Sequence, residues 1–135
     1  MKIDGACHCG EITYEAEVDP DQVSICHCTD CQTLGGGAFR VGAVALDGTL
    51  RFLGGRPKTY VKIAQSGTPR EQAFCANCGS QIYSSSAGDQ QPKSYRLRVG
   101  TIRQRDRLSP KVQIWHRSAQ SWVDDIGSIR SVETQ

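Results

Sequence analysis

Ile12, Tyr14, Ala16 and Val18 alternate with Thr13, Glu15 and Glu17. A period of two places the apolar set on one side of an extended chain and the polar set on the other, so the segment reads as a half-exposed strand. Asp19-Pro20-Asp21 reads as its stop. Further short strands are expected at Val41–Leu46, Leu50–Leu53, Tyr60–Ile63, Gln81–Ser84, Ser94–Val99 and Val112–Trp115. Turns at Asp47-Gly48, Gly54-Gly55 and Ala87-Gly88-Asp89 separate several of them. Within Ser94–Val99, Tyr95, Leu97 and Val99 share one face, and Arg96 and Arg98 the other. No helix of ordinary length is signalled; at most one turn runs from Thr29 to Leu34, ended by Gly35-Gly36-Gly37. The expected fold class is mainly β, in small twisted antiparallel sheets.

A length of 135 residues suits one hydrophobic core, so residues 1–135 are expected to form a single domain, with a polar tail from Ser128 to Gln135 that frays. An apolar fraction of 38% against 22% charged residues excludes a wholly disordered chain. The longest apolar stretch, Val41 to Leu46, is far short of the roughly 20 residues a membrane helix needs. Met1-Lys2-Ile3-Asp4 is not expected to open a signal peptide. The formal net charge of +2 is too small to imply a polyanionic partner, and basic residues do not interleave with aromatics, which argues against nucleic acid. The charge is nonetheless uneven: residues 1–67 carry six basic and eight acidic side chains, residues 68–135 ten and six.

Seven cysteines change the picture most. With no secretory segment expected, they point to metal or catalysis in a reducing, cytoplasmic setting, and an odd number cannot all pair within the chain. They fall into Cys7-His8-Cys9, Cys26-His27-Cys28-Thr29-Asp30-Cys31 and Cys75-Ala76-Asn77-Cys78. Residues two apart in an extended segment project to the same side, so Cys7 and Cys9 can share an ion; a CxxC turn brings both sulfurs to one ion about 2.3 Å away. Cys26, Cys28 and Cys31 are too close in sequence to serve separate ions. Two distant pairs then remain, Cys7/Cys9 and Cys75/Cys78, which together make a closed tetrahedral site of the structural type. The triplet leaves one tetrahedral position without an assigned protein group, the mark of a catalytic zinc. Three thiolates and Zn²⁺ leave about −1 by charge counting, a good host for a soft fourth ligand such as a substrate thiol. Two structural sites, with His27 or His116 closing the second, remain an open alternative, as does iron on the four-cysteine set.

His8 and His27 sit between cysteines on the opposite side of extended segments, so their rings are expected to point away from a metal and to act as supporting or surface groups. His116 reads as a surface or packing residue, and Trp115 and Trp122 as core or rim aromatics able to wall a cleft. Gly35-Gly36-Gly37 reads as a plain turn, although its N–H groups could meet an anion. Arg96, Arg98, Arg103, Arg105, Arg107 and Arg117 could bind carboxylates bidentately, but most are expected on solvated strand faces and loops.

The stretch Gly5-Ala6-Cys7-His8-Cys9-Gly10-Glu11-Ile12-Thr13-Tyr14-Glu15, the triplet followed by Gly36-Gly37-Ala38-Phe39, and Phe74-Cys75-Ala76-Asn77-Cys78-Gly79-Ser80 resemble the glutathione-dependent formaldehyde-activating (GFA) family, also called the CENP-V/GFA domain. Val99-Gly100-Thr101-Ile102 and Ser109–Trp115, with Trp122 beyond, are similar to its C-terminal signature. Gln32 stands where the family often has Arg, and Arg103 where it often has an acidic residue. The resemblance implies an Mss4-like β-rich fold stapled by zinc. It implies a structural Zn²⁺ on Cys7, Cys9, Cys75 and Cys78, and a second, labile one on the catalytic Cys26, Cys28 and Cys31. The activity it implies is carbon–sulfur lyase chemistry of the S-(hydroxymethyl)glutathione synthase type, joining or cleaving a small thiol such as glutathione and an aldehyde through a zinc-bound thiolate. The alternative is a non-catalytic zinc-stapled β scaffold for protein binding.

Overall fold

The computed structural model describes residues 1–89 and 91–135. Among the described residues, nine strands and one short α-helix, besides short 3-10 turns, follow in the order β1 (Lys2–Ala6), β2 (Thr13–Cys26), α1 (Thr29–Gly35), β3 (Arg40–Ala45), β4 (Arg51–Gly54), β5 (Lys58–Ile63), β6 (Pro69–Phe74), β7 (Gln81–Ser86), β8 (Arg96–Arg98) and β9 (Val112–Ile114). The mainly β expectation holds. The strands form an open sheet in the order β1-β2-β3-β8-β7-β6-β5, with β4 and β9 also paired to β2. All pairings are antiparallel except β2 with β9, where Ser24, Ile25 and Cys26 run alongside Val112, Gln113 and Ile114.

Strand β2 organises the molecule. Its first half buries Tyr14, Ala16 and Val18 and leaves Thr13, Glu15 and Glu17 half-buried, as period-two alternation requires. Asp19-Pro20-Asp21 does not end it. The register against β3 shifts between Val18 and Val23, and this irregularity accommodates a proline that a regular ladder would reject. Beyond it, β2 resumes pairing with β3 and gains β9, so Ser24 and Cys26 lie in the middle of a sheet. Strands β1 and β6 were absent from the expectation. In Pro69–Phe74, Gln72 and Ala73 are both buried, so no clean alternation marks the segment.

The core lies on one face of the sheet: Ile12, Tyr14, Val23, Ala43, Leu97 and Ile102 are all essentially inaccessible. At its centre the Tyr14 hydroxyl donates to Thr101 Oγ1 (2.8 Å), which donates to the Arg98 carbonyl (2.8 Å). Gly5 lets this happen. A Cβ there would stand 2.3 Å from Tyr14 Cζ and 2.7 Å from the Thr101 carbonyl oxygen. Tyr14 is fully buried and cannot swing aside, so Gly5→Ala is expected to cost about 1–3 kcal/mol by overpacking. A lowered urea midpoint with an unchanged slope would show it; an unchanged midpoint would contradict this account.

Candidate functional site

The first cysteine cluster sits where two hairpins meet. Cys7 and Cys9 lie in the turn between β1 and β2, Cys75 and Cys78 in the turn between β6 and β7. Each turn closes on a glycine N–H: Gly10 donates to the Cys7 carbonyl three residues back (3.1 Å), and Gly79 to the Cys75 carbonyl four residues back (2.8 Å). Each glycine has positive φ, +80° and +76°, which a side chain would resist. The Cys7 and Cys9 sulfurs are 3.6 Å apart, and those of Cys9 and Cys75 3.7 Å. A tetrahedron of thiolates about 2.3 Å from an ion has edges of about 3.8 Å, so the spacing fits a metal and is far too long for a disulfide. Ile12 N–H donates to Cys7 Sγ (3.2 Å). Cys78 is held down at about 5, first by the Ser80 hydroxyl and then by its backbone N–H. All four sulfurs lie within 4.8 Å of one another.

The second cluster lies at the other end of β2. Cys26 is its last residue; the chain then turns into α1, where Cys28 is the N-cap and its sulfur accepts the Cys31 N–H (3.3 Å). The three sulfurs converge within 4.8 Å, and among the described residues no fourth histidine, cysteine or carboxylate joins them. His27 is fully buried. Its Nε2 pairs with Gln113 Oε1 at 2.7 Å, and its ring meets Phe39 and His116 edge-on. It is a packing group inside the molecule, not a surface group. His116 is exposed, 3.5 Å from Asp124, and neither histidine closes the triplet. His8 is exposed and donates its backbone N–H to Ser80 Oγ (3.0 Å). The Cys31 thiol is held down at about 5, first by a hydrogen bond from Cys26 and then by the Arg40 guanidinium, against burial that pushes it up.

Cys26, Cys28 and Cys31 all line a cavity of about 750 Å³. Its floor is the polar face of the sheet. Ser24 and Cys26 of β2 stand beside Gly42 and Arg40 of β3, Gly42 beside Arg98 of β8, and Arg96 beside Ser84 of β7, which faces Gln72 of β6. Arg40 and Arg98 are each only 7% exposed, and both donate to Gln72 Oε1 (3.1 and 3.5 Å). Arg96 donates to Ser24 Oγ and lies across Gly42, whose Cβ would come 2.6 Å from Arg96 Cγ. Burial, with Arg40 alongside, pushes Arg98 down to about 9, still charged at neutral pH. Burial also lowers Arg70, with Arg96 next to it adding to the effect.

The far wall is built by β5, its following loop and the Trp115 turn. Lys62 pairs with Asp30 of α1 at 2.5 Å, and Arg117 donates to Gln65 (3.3 Å) while lying over the Trp115 ring. Trp115 has a left-handed backbone (φ 55°), uncommon for so bulky a residue, and this kink ends β9 and turns the chain into the cavity wall. Trp122 lies outside that lining.

The arginine expectation divides. Arg96, Arg98 and Arg117 line the cavity, and Arg98 is buried instead of solvated; Arg103, Arg105 and Arg107 are exposed, Arg103 pairing with Asp4 at 2.7 Å. Gly35-Gly36-Gly37 serves as the helix stop: Gly36 is the left-handed C-cap, and Gly37 N–H goes to the Gln32 carbonyl. Gln32 ties α1 to its surroundings, donating to the His27 and Ser118 carbonyls (2.7 and 2.9 Å). Arg40, Arg70, Gln72 and Ser84 were not singled out from the sequence. The sequence carries little signal for them: Glu71 lies between Arg70 and Gln72, and Ser85 follows Ser84, so neither strand alternates cleanly.

The glutathione-dependent formaldehyde-activating enzyme family matches the chain over residues 2–118. The chain belongs to this family. The matched stretch contains both cysteine clusters and ends at Ser118, the last residue lining the cavity. Membership in the GFA family suggests a glutathione-dependent formaldehyde-activating type of function, and both clusters are compatible with metal. A crystal structure of a Rhodobacter sphaeroides protein is similar in fold, with a TM-score of 0.61 and 23% identity, covering 82% of this chain and 98% of that one. No curated protein matches the chain. No helix is long and apolar enough to cross a membrane among the described residues.

Proposed function

We propose that the chain is a zinc-dependent carbon–sulfur lyase-type enzyme that joins a small thiol to an aldehyde, or cleaves their adduct, at Cys26, Cys28 and Cys31. The observation that carries this reading is a cluster of three sulfurs, with no fourth protein ligand among the described residues, opening onto a cavity of about 750 Å³. Family membership supports it. Zinc bound there would supply a Lewis-acid position at which a substrate thiol loses its proton. In the joining direction the sulfur–carbon bond forms, the carbonyl π bond opens, and the thiol proton ends on the new hydroxyl. Arg40 offsets the negative charge beside Cys31, and the arginines of the floor orient the acid groups of a substrate. Ile114 and Trp115 line one side. Cys7, Cys9, Cys75 and Cys78 hold a second, structural zinc. Seven free thiols suit a reducing cytoplasm.

Cobalt substitution tests this. Two metals per chain are expected, with the spectrum of one changing when a small thiol is added and turnover of thiol plus formaldehyde accompanying it. A cobalt spectrum indifferent to every thiol offered would leave a zinc-stapled scaffold instead.

A further inference from the structure

The cavity is lined by six cationic side chains and one carboxylate, Asp30. Asp30 is taken by Lys62, and Arg117 is engaged with Trp115 and Gln65. Arg40, Arg70, Arg96 and Arg98 remain, and none is paired with a carboxylate among the described residues. Glu71 sits between Arg70 and Gln72 in sequence but is consumed elsewhere: Tyr83, Ser85 and Lys93 all donate to it. The oxygen acceptors of these guanidiniums are neutral, of Gln72, Gln81 and Ser24, and Arg40 also stands beside the Cys31 sulfur. Arg40 Nε and Arg98 Nε are buried with no hydrogen-bond partner among the described residues.

A buried guanidinium without a counter-charge is costly, so neighbouring ones in a wall of neutral oxygens call for anions from outside. Three thiolates on Zn²⁺ would return about −1 against the four guanidiniums, by charge counting. Each guanidinium is a planar fork that matches a carboxylate or phosphate with two parallel bonds. A substrate ammonium would find its one candidate partner, Asp30, already paired.

We propose that this cavity selects substrates carrying two or more acid groups and no ammonium; taken with the thiol reading above, on which this half of the inference rests, the substrate is a diacid thiol and not zwitterionic glutathione.

The test is calorimetry at pH 7 and low ionic strength on the zinc-loaded chain, titrated with mercaptosuccinate, succinate, glutathione and cysteamine. Mercaptosuccinate is expected to bind at least about tenfold more tightly than glutathione, and cysteamine most weakly. Arg70→Met and Arg96→Met, at half-buried positions, are each expected to weaken both diacids about tenfold. Glutathione or cysteamine binding as tightly as mercaptosuccinate would overturn the inference, as would diacid binding untouched in both folded variants. Should either variant fail to fold, the ranking of the four ligands on the unmodified chain decides. Arginine-dependent succinate binding, with a cobalt spectrum that ignores mercaptosuccinate, would uphold the anion selectivity while removing the thiol chemistry.

Discussion

Cys75→Ser is expected to abolish the cooperative unfolding transition of this chain. Cys75 is fully buried at the end of β6, and its sulfur lies 3.7 Å from that of Cys9, 66 residues away in sequence. The cluster thus ties the β1–β2 hairpin to the β6–β7 hairpin. The core beneath is thin, with Ala16, Ala43, Ala45 and Ala73 among its buried members. Structural zinc contributes on the order of 10–16 kcal/mol in small zinc-dependent folds, comparable with the roughly 5–15 kcal/mol that separates a whole domain from its unfolded state. A serine oxygen does not replace a buried thiolate, so most of that stabilisation is lost. The check is thermal unfolding followed by near-ultraviolet circular dichroism, with zinc counted per chain. Chelation of the unmodified protein should reproduce the variant. A variant short of one metal whose midpoint stays within about 4 °C, roughly 1 kcal/mol, would show that the staple is not needed.

The reason this cluster was legible in the sequence is chemical. CxC and CxxC each fix the direction of two sulfurs by local geometry alone, and subtraction of the compact triplet leaves one partition of the seven. The alternation of Ile12 to Val18 and the helix stop after Leu34 were legible for the same reason: each is settled within one or two turns of chain. What escaped depends on what covers a strand from outside. Pro20 reads as a terminator, yet the register shift of β2 absorbs it, and β2 thereby carries Cys26 to the middle of the sheet. Arg96 and Arg98 alternate with apolar residues as they would on a solvated face. Periodicity separates the two faces of a strand but is silent on whether the polar one meets water or another wall. Here β5, its loop and the Trp115 turn close over it, and a stripe that reads as surface becomes the floor of a cavity.

The same floor explains why the two cysteine clusters should respond so differently to substitution. Cys28→Ser is expected to leave the fold intact while turnover falls by roughly a thousandfold or more, the rate equivalent of the several kcal/mol that a bound metal supplies to a reaction. Cys28 has a second duty, capping α1 by accepting the Cys31 N–H, and serine is among the best residues at that position. The helix therefore keeps its cap when the ligand is lost. Gln32 still anchors α1 to the His27 and Ser118 carbonyls, and Lys62 still holds Asp30, so the cavity wall does not depend on the sulfur. The measurement pairs metal content with turnover of thiol and aldehyde on the same preparation. Metal should drop from two per chain to one, with the unfolding midpoint nearly unchanged. Full turnover by a folded variant holding a single metal would place the chemistry somewhere other than Cys26, Cys28 and Cys31.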